Sequence, residues 1–380
     1  MRKKLIVFND MLFGGGVEKL MLDFVCHWNE QYDVTVVTDY YEDGFYDVYP
    51  ADVKYLPRRP RKVENSDAVG YRLKKHYYMK AVEAQIAKTH YDIAIAIKDG
   101  WKIKEVAEQF DAKVKIAWVH TDYNAYYYTE NIFGSKADEL NVLKKYDKVI
   151  CVSESIRVGI VDTLGDPGNL AVCYNPIHDD VILTKSMEPV VEPFLDTERK
   201  KVRFVSVGRL NWQKGYDILL QACRMLQDDG LGYEMLIIGG DDSDGVINHQ
   251  LQSDIRMLNL KNVWLLGHRI NSAKYIASAD WFISSSRFEG FSIVSQEATI
   301  LGTPCLLTDC GGVKELLGEN EYGIVMDHSA RSIYDAMKSV ILDKSIRDFY
   351  ASKINEKRGE MKFNYRVEII DDILRVCSER

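Results

Sequence analysis

Two carboxylates, Glu289 and Glu297, stand with seven residues between them around the turn Gly290-Phe291-Ser292. Ionised carboxylates only accept hydrogen bonds, so a pair of this kind suits a hydroxyl-rich partner such as a sugar and a ribose. The surrounding sequence sets their positions. Trp281-Phe282-Ile283-Ser284 is a short apolar, strand-like run. Gly290 permits a sharp bend, Ser292 can cap a helix that continues through Ala298 to Leu301, and Gly302-Thr303-Pro304 stops it. A strand-loop-helix junction aims unpaired N–H groups and a positive dipole end outward, which favours a phosphate. Glu289 falls in the loop and Glu297 about two turns down the helix, so the two address different parts of one elongated ligand. The same residues also fit an ordinary αβ unit with solvated glutamates.

Cations and glycines follow other apolar runs. Val205-Ser206-Val207-Gly208-Arg209-Leu210-Asn211-Trp212-Gln213-Lys214-Gly215 places Arg209 and Lys214 beyond a strand at Arg203–Val207. Arg offers a planar fork and Lys a compact charge, and both suit a phosphate-bearing ligand. The alternative is a solvated loop pair. Ile237-Ile238-Gly239-Gly240-Asp241 and Leu266-Gly267-His268-Arg269-Ile270 also end strands in glycine, where backbone can approach a ligand closely. Near the start, Phe13-Gly14-Gly15-Gly16-Val17-Glu18 joins a first strand to a first helix. It fits neither the dinucleotide glycine pattern nor the nucleotide-triphosphate loop. Trp118-Val119-His120-Thr121-Asp122 ends a further strand. His120 there is either a functional group or hydrogen-bonded into the sheet end, and Asp122 either orients a ligand or supports His120. Tyr123, Tyr126, Tyr127 and Tyr128 follow, able to stack on a sugar ring or to cover a wall. Asn175-Pro176-Ile177 reads as a turn and hinge.

The elements that must position these residues alternate. Leu5–Phe8, Val34–Thr38, Ile93–Ile97, Val114–Val119, Val149–Val152 and Ala171–Tyr174 read as buried strands, with helices at Val17–Trp28, Tyr77–Lys88 and Ala137–Lys145. A second series has strands at Arg203–Val207, Glu234–Ile238, Val263–Leu266, Trp281–Ser284 and Cys305–Thr308, and helices at Tyr216–Gln227 and His249–Leu258. The fold class is α/β, with two doubly wound, Rossmann-like domains facing a central cleft lined by strand carboxyl ends. The chain of 380 residues exceeds the usual single core, in agreement. Asp179–Lys200 carries two prolines, many charges and no period, as a linker does. Asn364–Ser378 has apolar residues at helical spacing. A net charge of −8 argues against general nucleic-acid binding. Seven cysteines without close pairing fit reduced thiols in a cytosol. No apolar run spans a bilayer, and Asn9 and Asp10 cut the first one short, so it is a strand and not a signal peptide.

The Glu289–Glu297 spacing, followed by Gly302-Thr303-Pro304 and Gly311-Gly312-Val313-Lys314-Glu315, resembles the signature of the retaining glycosyltransferase family 4, which has the GT-B fold. The resemblance implies an acceptor-binding domain over 1–178, a linker over 179–200, a nucleotide-sugar-binding domain over 201–362, and a C-terminal helix over 363–380 that packs back across the junction. It implies a hexose-type sugar moved, with retention, from a nucleoside diphosphate donor, uridine foremost, to a hydroxyl of a glycan or lipid-linked acceptor. Arg209, Lys214, Glu289 and His120 would be catalytic, with His120 lining the donor sugar. Gly14, Gly15 and Gly16 would approach the donor phosphates, with Gly239, Arg269, Gly290, Phe291, Ser292 and Glu297 completing the donor site. Asp122, Tyr123 and Tyr126 would meet the acceptor. The resemblance supplies no carboxylate nucleophile for double displacement, which favours a front-face path in which the leaving diphosphate takes the incoming hydroxyl's proton. It also implies no metal and no other cofactor.

Lys54–Lys80 is basic against the acidic whole, with Arg58, Arg59, Arg61, Lys62, Arg72, Lys74 and Lys75 interleaved with tyrosines. It reads either as a solvated loop or as a surface resting on anionic lipid, which would put a cytoplasmic protein at the inner face of the membrane. A nucleotide-sugar epimerase of the same fold is the leading alternative. A pyridoxal-phosphate phosphorylase and a non-catalytic sugar-nucleotide binder are the others.

Overall fold

The computed structural model describes residues 2–12, 15–41, 44–60, 68–195, 198, 200–240 and 245–379. The chain divides into two compact units, Met1–Asn175 with Val367–Arg380, and Pro176–Arg366.

The first unit holds a parallel sheet of β1 (Lys4–Phe8), β2 (Asp33–Thr38), β3 (Lys54–Pro57), β4 (Tyr91–Ala96), β5 (Ala112–Val119), β6 (Lys148–Cys151) and β7 (Leu170–Val172), in the order β3-β2-β1-β4-β5-β6-β7. Leu5, Ile6, Val7 and Phe8 are all buried, as they must be in a central strand covered on both faces. Helix Gly16–Trp28 buries Leu20, Met21, Phe24, Val25 and Trp28, one apolar stripe at helical period. Its Phe24 stacks on Trp28 with centroids 4.7 Å apart and meets Trp118 of β5 at 5.1 Å. Each such side chain contributes roughly 1.5–3 kcal/mol of burial. Strand order reverses between β1 and β4, so the loops after these strands splay apart at the carboxyl edge, where open α/β sheets bind ligands.

The second unit repeats the plan with β8 (Val202–Val207), β9 (Tyr233–Ile238), β10 (Val263–Gly267), β11 (Trp281–Ser284), β12 (Cys305–Thr308) and β13 (Ile324–Met326), all parallel in the order β10-β9-β8-β11-β12-β13. Phe204, Tyr233 and Trp281 are fully enclosed in its core, against Leu219, Leu220 and Cys223 of helix Tyr216–Asp228.

Two strands escape a reading by hydrophobic period. β3 opens the basic stretch Lys54–Lys80, read from the sequence either as a solvated loop or as a surface on anionic lipid; it is an edge strand, half-exposed at Lys54 and Tyr55 and ended by Pro57, where charge and proline are tolerated. β13 has only three residues. The stretch 179–200, expected as a linker, contains helix Asp179–Ser186 with Ile182 buried. Among the described residues, no helix is long and apolar enough to cross a membrane.

Candidate active site

The loops after β8 and β11 are stitched together at the carboxyl edge of the second sheet. A tight turn at Trp212–Lys214 is capped by Asn211, whose side chain accepts from the Lys214 N–H. The Gln213 side chain then donates to the Phe288 carbonyl at 2.9 Å, the Arg287 N–H to the Gln213 carbonyl at 2.7 Å, and Ser285 Oγ to the Lys214 carbonyl at 2.8 Å. This frame brings Lys214 Nζ to 2.5 Å from Glu289 Oε1, and the same oxygen accepts from Ser286 Oγ at 2.7 Å. Two residues that the sequence assigns to different parts of a ligand thus hold one another. Arg209 is exposed at the start of the same loop.

Past the turn, Ser292 caps helix Ile293–Leu301 by accepting from the Ser295 N–H, and Gly302 ends it in the left-handed region, both as the sequence requires. Phe291 is buried beside it, and Glu297 on the helix is 5% exposed. The glycine at 239 is sterically imposed, since an added Cβ would lie 1.8 Å from the Gly208 carbonyl oxygen. Only a bare backbone lets the loops after β8 and β9 meet. Arg269 has a structural employment: its guanidinium reaches Glu192 at 3.4 Å and the Tyr275 hydroxyl at 3.2 Å, and Tyr275 donates to Glu192 at 2.7 Å. It therefore ties the segment around Glu192 to the second sheet, a task the donor-binding expectation did not foresee.

In the first unit, His120 follows β5. Its N–H donates to Asp99 Oδ1 at 2.8 Å, and its Nε2 lies 2.9 Å from the Ile97 carbonyl, which can only accept. The ring is thereby held as the Nε2–H tautomer with Nδ1 as acceptor. Enclosure of the ring lowers its pKa below the ordinary value; Asp99 and the Ile97 carbonyl oppose this. Nearby, Lys98 Nζ pairs with Asp10 at 3.1 Å and Glu18 at 3.7 Å. Gly15 precedes helix Gly16–Trp28, which begins at Gly16; Gly14 lies outside the described residues.

The loop after His120 is fastened by a residue the sequence did not single out. Glu139, 1% exposed, accepts from Tyr123 at 2.7 Å, Tyr127 at 3.0 Å and Thr129 at 2.6 Å. Burial raises its pKa, against these three hydrogen bonds. Tyr123 is 2% exposed, which corrects its assignment to the acceptor: its hydroxyl is spent on Glu139 and its ring on the interior. Asp122 closes the turn, accepting from the Asn124 N–H at 3.0 Å, and burial raises its pKa too. Tyr126 stays exposed. Of the basic stretch, residues 61–67 lie outside the described residues. Arg58 is committed to the fold, paired with Glu105, with Glu83 at 2.8 Å and with Asp39 at 3.5 Å. Asp99 and Lys98 were legible as the polar pair ending the apolar run Ile93–Ile97; Glu139 gave no signal beyond an ordinary helical glutamate.

Two family models cover most of the chain. Residues 14–181 match "Glycosyltransferase Family 4" and residues 192–358 match "Glycosyl transferases group 1". The chain is a family 4-type glycosyltransferase of the GT-B fold. Among its relatives is the N-acetylgalactosamine-N,N'-diacetylbacillosaminyl-diphospho-undecaprenol 4-alpha-N-acetylgalactosaminyltransferase of Campylobacter jejuni, 27% identical over 277 residues, 71% of each chain. The capsular polysaccharide biosynthesis glycosyltransferase CapM of Staphylococcus aureus is 26% identical over 163 residues, with 42% of each chain covered. The fold of this glycosyltransferase matches that of Anabaena HepE in complex with UDP and glucose, with a TM-score of 0.78, 16% identity, and 99% and 100% of the two chains covered. It matches sucrose-phosphate synthase of Thermosynechococcus elongatus equally, with a TM-score of 0.78, 17% identity and 98% of each chain covered. Arg209, Lys214, Glu289 and Glu297 of the glycosyltransferase lie within the group 1 match, and His120, Asp99 and Glu139 within the family 4 match.

Proposed function

We propose that the glycosyltransferase moves a hexose-type sugar from a uridine diphosphate donor to a hydroxyl of a glycan or lipid-linked glycan, with anomeric retention, in cell-surface polysaccharide assembly. The observation that carries the donor reading is Lys214 held against Glu289 beside the capped N-terminus of helix Ile293–Leu301. An ammonium, the Arg209 guanidinium and a positive helix end together suit a diphosphate whose charge grows as the sugar leaves. Support for the base and acceptor comes from the HepE complexes with UDP and glucose and from the diphospho-undecaprenol in the Campylobacter relative's name.

Glu289 serves this reading as a holder of donor sugar hydroxyls and Glu297 as a holder of the ribose. Glu289 is a poor nucleophile, because one of its oxygens already carries both the Lys214 ammonium and the Ser286 hydroxyl. Neutralising a carboxylate in this way lowers its reactivity toward an anomeric carbon. That favours the front-face path, in which the acceptor oxygen bonds to the anomeric carbon as the bond to the diphosphate breaks, and the acceptor's proton passes to a diphosphate oxygen. His120 presents Nδ1 as a hydrogen-bond acceptor for a sugar hydroxyl. Cations of the chain hold the diphosphate, so the reading needs no metal. Catalysis is assigned to the cytoplasm, at the inner membrane face when the acceptor is lipid-linked, with the Lys54–Lys80 stretch against anionic headgroups.

Three measurements test this. Thermal shifts with uridine and guanosine diphosphates identify the base, since a ligand that binds only the native state stabilises it by mass action. Proton NMR of the product's anomeric centre reads the stereochemistry; inversion would end the front-face reading. Liposome co-sedimentation reads the membrane contact, and no binding to anionic vesicles at low salt would remove it.

A further inference from the structure

The carboxyl edge of the first sheet carries an exposed aromatic surface that the donor chemistry does not use. Trp101, 61% exposed, is the first residue of the helix Trp101–Gln109 that follows β4. Tyr126, 49% exposed, stacks on Tyr128 with centroids 5.7 Å apart and planes 17° from parallel, in the loop that follows β5 and His120. Gly100 joins the two groups. Its φ is +81°, and an added Cβ would lie 2.8 Å from Ile132 Cδ1 and 3.7 Å from the Tyr128 hydroxyl. Lys104 completes the link by donating to the Ile132 carbonyl at 2.8 Å while its ammonium lies 5.8 Å from the Trp101 ring.

A single exposed aromatic residue is ordinary on a protein surface. Here, Trp101 is set next to a glycine whose conformation and clearance admit no side chain, on the edge that also carries His120. A pyranose has an apolar face of C–H groups that packs on the negative face of an aromatic ring, and a polar rim that needs hydrogen-bond partners. Both are present: aromatic faces from Trp101 and the Tyr126–Tyr128 pair, and polar groups from the partly exposed Asp10 carboxylate, whose charge reaches the Tyr128 hydroxyl, and from the Lys104 ammonium beside Trp101. The field at the platform is acidic: besides burial, Asp99, Glu139 and Asp10 all raise the Tyr128 pKa, while the Lys104 ammonium beside Trp101 is already engaged by the Ile132 carbonyl. An acidic sugar or a lipid phosphate is repelled there, and a neutral ring is not.

We propose that Trp101, with Tyr126 and Tyr128, is the stacking platform for a neutral pyranose of the acceptor, and that it sets the preference for uncharged over acidic acceptor sugars. This rests on the acceptor reading above. The test is saturation-transfer NMR of the full chain with methyl galactoside, methyl N-acetylgalactosaminide and methyl glucuronide, and with uridine diphosphate as a separate arm. Wild type is compared with Trp101→Ala, Trp101→Phe and Tyr126→Ala. Expected are signals from the two neutral glycosides on wild type, a loss of at least about fivefold in Trp101→Ala and Tyr126→Ala, near-retention in Trp101→Phe, and a weaker glucuronide signal throughout. The diphosphate arm stays unchanged in all four proteins. Neutral-glycoside signal unaltered in Trp101→Ala, absent from wild type, or matched by the glucuronide overturns the platform. Failure of the diphosphate to bind wild type overturns the donor reading instead, and leaves the glycoside arm to decide the platform.

Discussion

Lys214 Nζ and Glu289 Oε1 lie 2.5 Å apart across two loops that follow different strands of the second sheet, each side chain mostly withdrawn from solvent. The pair is a structural clasp as well as a functional assignment. Lys214→Ala leaves Glu289 with Ser286 alone, and an under-satisfied buried carboxylate costs about 1–3 kcal/mol. The double variant Lys214→Ala with Glu289→Ala removes both charges, so thermal denaturation is expected to show it less destabilised than the sum of the single variants. Additivity within experimental error would mean that the contact carries no coupling.

Activity separates the clasp from the chemistry. Loss of one positioned donor to developing charge typically costs about 100- to 1000-fold in kcat. Lys214→Ala is therefore expected to lose at least that much, whereas Lys214→Arg keeps the charge and recovers part. Glu289→Gln keeps a hydrogen-bond acceptor near Ser286 and is expected to fall less than Glu289→Ala. Equal kcat for the alanine and wild-type proteins would remove Lys214 from the diphosphate.

The fate of these residues shows what was legible beforehand. Ser292, Gly302 and the strand Trp281–Ser284 follow from local rules, since a cap, a left-handed stop and an apolar run each act over a few residues. The Lys214–Glu289 contact does not, because 75 residues separate its partners and only the sheet order β8-β11 makes them neighbours. Glu139 was invisible for a different reason. Nothing in its helix marks it as the anchor of three hydroxyls from the preceding loop. Tyr123 misled because a tyrosine beside a strand end reads as surface until its hydroxyl finds a buried carboxylate. β3 was missed because an edge strand needs no apolar alternation.

Glu139 predicts a divided phenotype. Glu139→Ala strands the Tyr123 and Thr129 hydroxyls inside the first unit and is expected to destabilise by about 1–3 kcal/mol. Because the loop it fastens also carries Tyr126 and Tyr128, acceptor KM should rise while uridine diphosphate binding is unchanged. Glu139→Gln retains one acceptor oxygen and should fall between. A variant whose donor affinity drops in parallel with acceptor affinity would count against a loop-specific role.

The proposed use of Arg209, Lys214 and a helix end in place of a metal predicts indifference to chelation. Transfer measured in excess chelator is expected to proceed at the rate seen without it, after dialysis against the same chelator. Complete loss, restored by a divalent cation, would sink the metal-free path.

His27 and His120 lie in one unit and are displaced in opposite directions, which gives stability two distinguishable pH limbs. His27 donates from Nε2 to Asp371 at 2.7 Å, joining helix Gly16–Trp28 to the C-terminal helix Phe363–Ser378, and this hydrogen bond raises its pKa above 6.5. A histidine stabilised in its charged form contributes fully below its unfolded value, and that contribution is lost as pH rises through the raised folded value. His120 is the reverse. Enclosure lowers its pKa, so no penalty applies above 6.5, and one accrues as pH falls toward the lowered folded value. Protection factors of residues 363–378, with the intrinsic rise of exchange with pH divided out, should therefore fall from pH 6 toward pH 8 in wild type and show no such step in His27→Gln. The global melting temperature should fall below pH 6.5 in wild type and fall less in His120→Gln. Protection factors at the C-terminal helix that are flat with pH in wild type would show that the His27–Asp371 bond does not hold it.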